Sequence, residues 1–297
     1  MGELTIGFVG LGNMGWPMAA NLHAAGFPLV VRDADAHRQL AFAGAHPGAV
    51  AADEPGAFAV ADIVVTMLPD GAVVAEALLN WGIAAALAPG ALVIEMSSAD
   101  PADTRATAAG LAARGVRMMD APVSGGVPRA VTGELSLMVG GDEADVASAQ
   151  PVLRVLGDPA RQFRTGALGT GHAMKALNNV VAAATTCVTA EALVVGRRFG
   201  LDPQTMVDVI NASTGRSFVS EIFGSEVLTG RYGTGFALGL LAKDVRIALS
   251  VAAAAGVDVP AITLTEERWA AALRDLGPAA DQSQAHQSWW ADKLSEQ

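Results

Sequence analysis

The chain is poor in several reactive side chains, and each shortage removes a class of chemistry. Among 297 residues there is one cysteine and one tyrosine, and lysine occurs only at positions 175, 243 and 293, the other sixteen basic residues being arginine. A lone thiol, Cys187, can form neither an intrachain disulfide nor a cysteine-rich zinc site, so no metal is expected and a reducing, cytoplasmic setting is. Tyr232 is followed four residues later by Phe236, which excludes a tyrosine–lysine proton relay of the YxxxK kind. Charged residues make up 16% of the chain and the balance is acidic, with a net charge of -11. Nucleic acid and anionic membrane surfaces are therefore not expected as partners, and an anionic ligand would need a local basic pocket.

Long apolar runs are also missing. The start, "MGELTIGFVGLG", has an acid at position 3 and glycines within its apolar run, unlike a signal peptide. The stretch from Val180, "VVAAATTCVTAEALVVG", is broken by Glu191 and built largely of alanine and threonine, so it reads as a buried helix and not as a membrane span.

What the chain does have is ample material for a core, 52% of it being hydrophobic. In the first half, short β-branched runs (Leu4 to Val9, Pro28 to Val31, Ile63 to Met67, Leu92 to Glu95, Arg117 to Asp120, Leu135 to Val139) alternate with alanine-rich segments of helical length. That alternation implies a parallel sheet covered by helices on both faces. After about Thr165 the strands stop. "TGHAMKALNNVVAAATTCVTAEALVVGRRFG" supports one very long helix, followed by helical segments at Pro203 to Asn211, Ala242 to Ala255 and Pro260 to Leu276. The expectation is an α/β protein: a doubly wound Rossmann domain over 1–165, and an all-helical substrate and oligomerisation domain over 166–297, entered through the long helix.

The first strand runs into Gly10-Leu11-Gly12-Asn13-Met14-Gly15, a GxGxxG with a helical segment behind it. In that context the first two glycines permit a tight turn and close approach of backbone to a pyrophosphate, and the third lets helix pack on strand. Asp33 closes the second strand, about 20 residues on, where a carboxylate bonds the ribose hydroxyls of NAD and repels the extra phosphate of NADP. Arg32 beside it keeps NADP as the alternative cofactor.

With "DAPVSGG" (Asp120 to Gly126) and "GTGHAMKALNN" added to these motifs, the sequence resembles the β-hydroxyacid dehydrogenase family over nearly its whole length. That family includes 3-hydroxyisobutyrate dehydrogenase and tartronate semialdehyde reductase, with 6-phosphogluconate dehydrogenase and imine reductases as relatives. The resemblance implies hydride transfer between NAD and a small 3-hydroxy acid or its semialdehyde. It implies that Leu68 and Pro69 line the dinucleotide, that Ser98 or its neighbour Ser97 touches the nicotinamide side, and that Lys243 approaches the cofactor. Ser124, Gly125 and Gly126 would bind the substrate carboxylate, with Asn179 as a further substrate ligand. A homodimer or homotetramer is implied as well. Arg129 in the "SGGVPR" loop departs from the small residues common there, as do Met96 and Val73 from the family's usual serine and asparagine; these bear on the substrate more than on the reaction.

Proton transfer then needs a side chain. With tyrosine and zinc excluded, and His23, His37, His46 and His286 remote from the motifs, Lys175 is the candidate general acid/base. Lysine, unlike arginine, can exchange a proton near neutral pH when its surroundings depress its pKa. His172, one turn earlier, reads as a residue that orients its neighbour. Two other readings stand beside this one: an imine reductase, against which Lys175 argues, and a dinucleotide-binding regulatory module without turnover.

Overall fold

A computed structural model describes residues 4–290; Lys293 lies outside the described residues. The order of elements begins β1 (Ile6–Val9), α1 (Gly15–Ala24), β2 (Leu29–Arg32), α2 (Ala36–Ala45), β3 (Val50–Ala51), β4 (Ile63–Thr66), α3 (Gly71–Ala75), α4 (Ile83–Ala86) and β5 (Leu92–Glu95). It continues through α5 (Pro101–Ala112), β6 (Arg117–Asp120), β7 (Val123–Ser124), α6 (Gly126–Thr132), β8 (Leu135–Gly140), α7 (Glu143–Leu156) and β9 (Gly157–Gly166). Among the described residues the α-helices that follow are α8 (Thr170–Phe199), α9 (Pro203–Asn211), α10 (Phe218–Ile222), α11 (Leu238–Ala255), α12 (Pro260–Leu276) and α13 (His286–Trp289). The chain divides into two compact units, Met1–Lys175 and Ala176–Gln297.

In the first unit the strands order as β3-β2-β1-β4-β5-β6-β8-β7, with β9 also paired to β8. From β3 to β6 every pairing is parallel, as right-handed βαβ units require. The parallel sheet expected from the alternation forms from β3 to β6, and the departure comes at β8. β8 runs antiparallel to β6 and β7, because a connection as short as that through α6 returns the chain beside its own start. β9 then pairs with β8 in parallel after the α7 crossover. β3 and β7, two residues each, carry too short a pattern to be read, and β9 is mostly polar and exposed or half-exposed.

Alternate residues of the parallel strands go to opposite faces. Ile6, Phe8, Val65, Ile94 and Met119 join Met18 and Leu22 of α1 and Val152 and Leu153 of α7 in one core. Val9, Val64, Val93 and Met118 join Val74 of α3 and Leu111 of α5 in the other. On the second face α3 and α5 start from local signals: Asp70 caps α3 by accepting the Val73 N–H, and Asp100 caps α5 by accepting the Ala102 N–H, with Pro101 at the first position where its missing N–H costs nothing.

The division between units falls inside α8, after Lys175, and not at Gly166 where the change of pattern begins. The first turn of α8 belongs to the first unit because Asp120, at the end of β6, accepts the backbone N–H groups of Gly169 (2.7 Å) and His172 (2.8 Å). The carboxylate replaces the N-cap side chain that the sequence does not supply locally.

The second unit is helical, as expected. The helix α8, Thr170–Phe199, is apolar enough for a membrane span by length and composition, yet beyond Lys175 its Ala176, Val180, Ala183, Ala190, Leu193 and Val194 are committed to a core with α11 and α12. At its centre Trp269 of α12 is buried, donates its indole N–H to the Ala183 carbonyl (3.2 Å) and packs edge-on against Trp289. Cys187 borders this core, and burial pushes its thiol up to about 12.

Candidate active site

One row of residues organises the first unit's carboxyl edge. Val9 is in register with Arg32 on one side and Thr66 on the other, Thr66 with Glu95, and Glu95 with Asp120. One or two residues past this row come the segments singled out above: the Gly10–Gly15 loop, Leu68–Pro69, Ser97–Ser98 and the approach to Ser124. Chain order reverses between β1 and β4, which is where ligands of open α/β sheets bind, outside the strand ends.

The glycine loop is shaped by what a side chain would strike. Gly10 has φ +99, and a Cβ there would sit 2.2 Å from the Met67 carbonyl oxygen; at Gly15 it would sit 1.8 Å from the oxygen of Gly10. A Cβ on Gly12 would meet no protein atom within 4 Å. Gly10 and Gly15 thus serve the turn and the helix–strand contact, whereas Gly12 keeps open space that the fold itself does not need. α1 begins with no side-chain cap on its N–H groups. An uncapped helix start behind a cleared backbone surface fits a dinucleotide pyrophosphate. Leu11 is buried, while Asn13 is exposed and Met14 half-buried.

Asp33 does more than the sequence reading gave it. One carboxylate oxygen accepts the Leu11 N–H (2.7 Å), so Asp33 fixes the glycine loop; the other accepts the Asp35 N–H (2.9 Å), and Arg38 stands 3.8 Å away. The Arg32 guanidinium lies 4.7 Å from the Trp81 ring centre and donates to Gln39 (3.0 Å) and to the Asp33 carbonyl. Of the serine pair, Ser97 is buried: its hydroxyl accepts the Leu68 N–H (2.9 Å) and its own N–H goes to Glu95 (2.8 Å). Ser98 is half-buried and Pro69 exposed.

Ser124 ends β7, paired with Ser136, and Gly125 and Gly126 turn the chain into α6 with φ +132 and +63. Gly125 is exposed, and the Arg129 side chain lies across it, since a Cβ there would be 2.6 Å from the Arg129 Cδ.

Behind this edge lies a buried polar cluster. His172 faces the Glu95 carboxylate with Nε2, its Nδ1 is 2.8 Å from the Thr104 hydroxyl, and Asp120 is 3.6 Å from Nδ1. The Glu95, His172 and Asp120 side chains are at most 1% exposed. Burial drives the His172 pKa down, but the adjacent Glu95 charge and hydrogen bond outweigh it and hold it above the ordinary value. Burial likewise raises Glu95, and the imidazole more than reverses that, leaving it below the ordinary carboxylate value. His172 was legible as an orienting residue. Glu95, Asp120 and Thr104 were not, although an ionisable residue closing an apolar parallel strand, as in "LVIE" and "RMMD", is the signal that marks the first two.

Lys175 follows His172 by one turn on α8 and is half-buried. In the second unit, Asn179 is 6% exposed and donates to the Asp244 carboxylate (2.6 Å), and Lys243 lies 3.4 Å from the other oxygen of the same carboxylate. Asp244, absent from the sequence reading, thus gathers two of the residues that reading selected.

Comparison with known proteins gives the family. Residues 5–190 match the model described as the NAD binding domain of 6-phosphogluconate dehydrogenase, and residues 169–289 the one described as NAD-binding of NADP-dependent 3-hydroxyisobutyrate dehydrogenase. The chain belongs to the β-hydroxyacid dehydrogenase family, and its cofactor is NAD(P). It is 39% identical over 264 residues to a probable 3-hydroxyisobutyrate dehydrogenase of Mycobacterium tuberculosis, covering 86% of this chain and 88% of that protein. It is 36% identical over 261 residues to the 2-(hydroxymethyl)glutarate dehydrogenase of Eubacterium barkeri, covering 87% and 85%. Among solved structures, the M. tuberculosis 3-hydroxyisobutyrate dehydrogenase with L-serine superposes with a TM-score of 0.88 at 34% identity, over 97% of this chain and 99% of that one.

The open side of Gly12 separates the two uses of glycine in the loop. Gly12→Val should leave the unfolding free energy within about 1 kcal/mol of wild type, as for other surface changes, and weaken NAD binding at least tenfold by calorimetric titration. Gly15→Ala should lower stability by about 3 kcal/mol or more in urea unfolding.

Proposed function

We propose that the protein is a 3-hydroxyacid dehydrogenase of the 3-hydroxyisobutyrate type, working with NAD in a reducing cytoplasm. The observation that carries this reading is that the dinucleotide loop and the helical turn bearing Lys175 are both anchored on the same strand-end row. Bound nicotinamide supplies the hydride acceptor. The chain must hold the substrate, aim its carbinol carbon and move one proton. Ser124 and the backbone N–H groups of Gly125 and Gly126 hold the carboxylate, consecutive amides in a glycine turn forming an anion-binding concavity. Lys175 accepts the hydroxyl proton during oxidation and returns it during reduction. Asn179 steadies the substrate hydroxyl, while Leu68, Pro69, Ser98 and Lys243 line the dinucleotide.

Two observations support NAD over NADP. Asp33 puts a buried carboxylate where the extra phosphate would lie, and the Arg32 guanidinium is engaged with Trp81 and Gln39. A second substrate reading has its own support: Arg129 across Gly125 brings a cation to the carboxylate loop, which suits a dicarboxylic hydroxy acid such as the one named for the E. barkeri relative. An imine reductase is less well supported, since those likenesses are near 20% identity and concern the fold. An oligomer is supported by α8, where Val181, Val188 and Val195, seven residues apart, are each about two-thirds exposed.

A spectrophotometric screen of 3-hydroxy mono- and dicarboxylic acids should show NAD reduction that Lys175→Ala lowers by about 100-fold or more, within the range for a lost general base; a variant that keeps most of its turnover refutes the lysine's role. Asp33→Ala should narrow the NAD to NADP ratio of kcat/KM by tenfold or more, and an unchanged ratio refutes the cofactor assignment. Sedimentation velocity should find a dimer or larger species that Val188→Glu dissociates; a monomeric wild type ends the oligomer reading.

A further inference from the structure

Glu95 and Asp120 close neighbouring parallel strands at the same register position, so both side chains lie on one face of the sheet, strands about 4.8 Å apart. Both are buried. Two carboxylates so placed cannot both be ionised without a cation between them. The His172 imidazole occupies that place, with Nε2 on Glu95 and Nδ1 toward Asp120.

Hydrogen-bond accounting gives the ring its charge. The Thr104 hydroxyl donates to the Asp100 carbonyl (3.1 Å), so its oxygen is left to accept from Nδ1, while Nε2 faces an acceptor-only carboxylate. Both ring nitrogens then carry a proton. The cluster reaches further in both directions. Glu95 accepts the Ser97 N–H and the Ser97 hydroxyl accepts the Leu68 N–H, which carries the chain of bonds to the loop after β4. On the other side Asp120 holds the Gly169 and His172 N–H groups at the start of α8. The packing leaves no clearance, since a Cβ on Gly171 would lie 2.2 Å from the Met138 carbonyl oxygen and 2.7 Å from Asp120.

Buried ion pairs add little net stability over apolar side chains of equal volume, and their attested use is to select one arrangement. We propose that His172 is a positioning residue: as an imidazolium clamped by Glu95 and Asp120, it fixes the turn of α8 that carries Lys175 against the strand ends lining the dinucleotide site. Lys175 lies three residues on, a helical neighbour whose placement follows that of the turn. The proposal rests on the acid/base role given to Lys175 above.

The charged and polar groups that face the ring are Glu95 from β5, the Ser97 backbone just after it, Asp120 from β6 and Thr104 from α5, with Arg105 of α5 against Gly169 at the helix start. The direction of the two pKa values sets the range of the clamp. His172 is raised, so its contribution is complete below the ordinary histidine value and is lost as pH rises through the raised one. Glu95 is lowered, so its contribution is complete above the ordinary carboxylate value and is lost as pH falls through the lowered one. The clamp therefore spans the neutral range.

The test uses the full chain. Long-range ¹H–¹⁵N spectra of the wild type at pH 7 should show both His172 ring nitrogens protonated; a neutral ring overturns the proposal. In His172→Gln and Glu95→Gln, amide exchange should quicken by about tenfold or more over residues 169–175 and remain at wild-type rates in α1, with NAD Kd within about threefold of wild type. Their kcat should fall between about 10- and 100-fold, as sub-ångström misplacement of a proton-transfer group costs, and the pH profile of kcat should shift on its lysine limb. Wild-type exchange and kcat in both variants, or exchange quickened uniformly through the chain, overturns the positioning role. If neither variant folds, a neutral His172 ring or rapid wild-type exchange over 169–175 still refutes the proposal. If the wild type oxidises no hydroxy acid, the dehydrogenase reading fails alone, because ring protonation and local exchange need no substrate.

Discussion

Much of the first unit depends on one electrostatic constraint: two carboxylates, Glu95 and Asp120, buried side by side at the ends of adjacent strands. Carboxylates in that position must be met by donors and by positive charge. Asp120 takes its donors from the first backbone N–H groups of α8, and Glu95 takes its partner from the imidazole two residues into that helix. Satisfying the strand ends and starting the long helix are therefore one arrangement. The helix start needs a carboxylate, the carboxylates need a cation, and each need is met only when the sheet edge and the helix are brought together.

The glycine loop is organised in a comparable way. Asp33, placed at the end of β2 by the sheet, holds the Leu11 N–H and so shapes the loop from below, while Gly10 and Gly15 allow strand, loop and helix to touch. What remains free of protein contact is the surface at Gly12. In both places an acidic side chain at a strand end orders backbone donors of a segment distant in the chain. That suits an acidic protein with an anionic cofactor: main-chain N–H groups add to the positive field of its few basic side chains.

The parts legible in the sequence were those in which residue type itself encodes the requirement. Valine- and isoleucine-rich runs marked β1, β2, β4 and β5, leucine and methionine marked β6 and β8, and glycine spacing marked the loop that needs φ > 0 and close approach. The long helix announced itself by length. β3 and β7 were illegible because two residues hold no period, and β9 because Pro159, Arg161 and Arg164 give it the look of a loop. The reversal of β8 depends on connection geometry, which residue patterns do not carry. In the site, His172 showed as an orienting residue, yet what it orients against could not be read: Glu95 and Thr104 lie far away in the chain, and only the fold brings them together. Asp244 was hidden by adjacency, a carboxylate following the more conspicuous Lys243.

The register of β5 with β6 has a consequence for how the sheet assembles. A slip of one residue would turn Glu95 to the opposite face, leaving the imidazole against an apolar neighbour and without one of its two carboxylates. A misaligned sheet would lose packing and, in addition, bury an unbalanced charge. The cluster at the strand ends thereby favours one alignment of the sheet over those a step out of phase, once the first turn of the long helix has brought the imidazole to it.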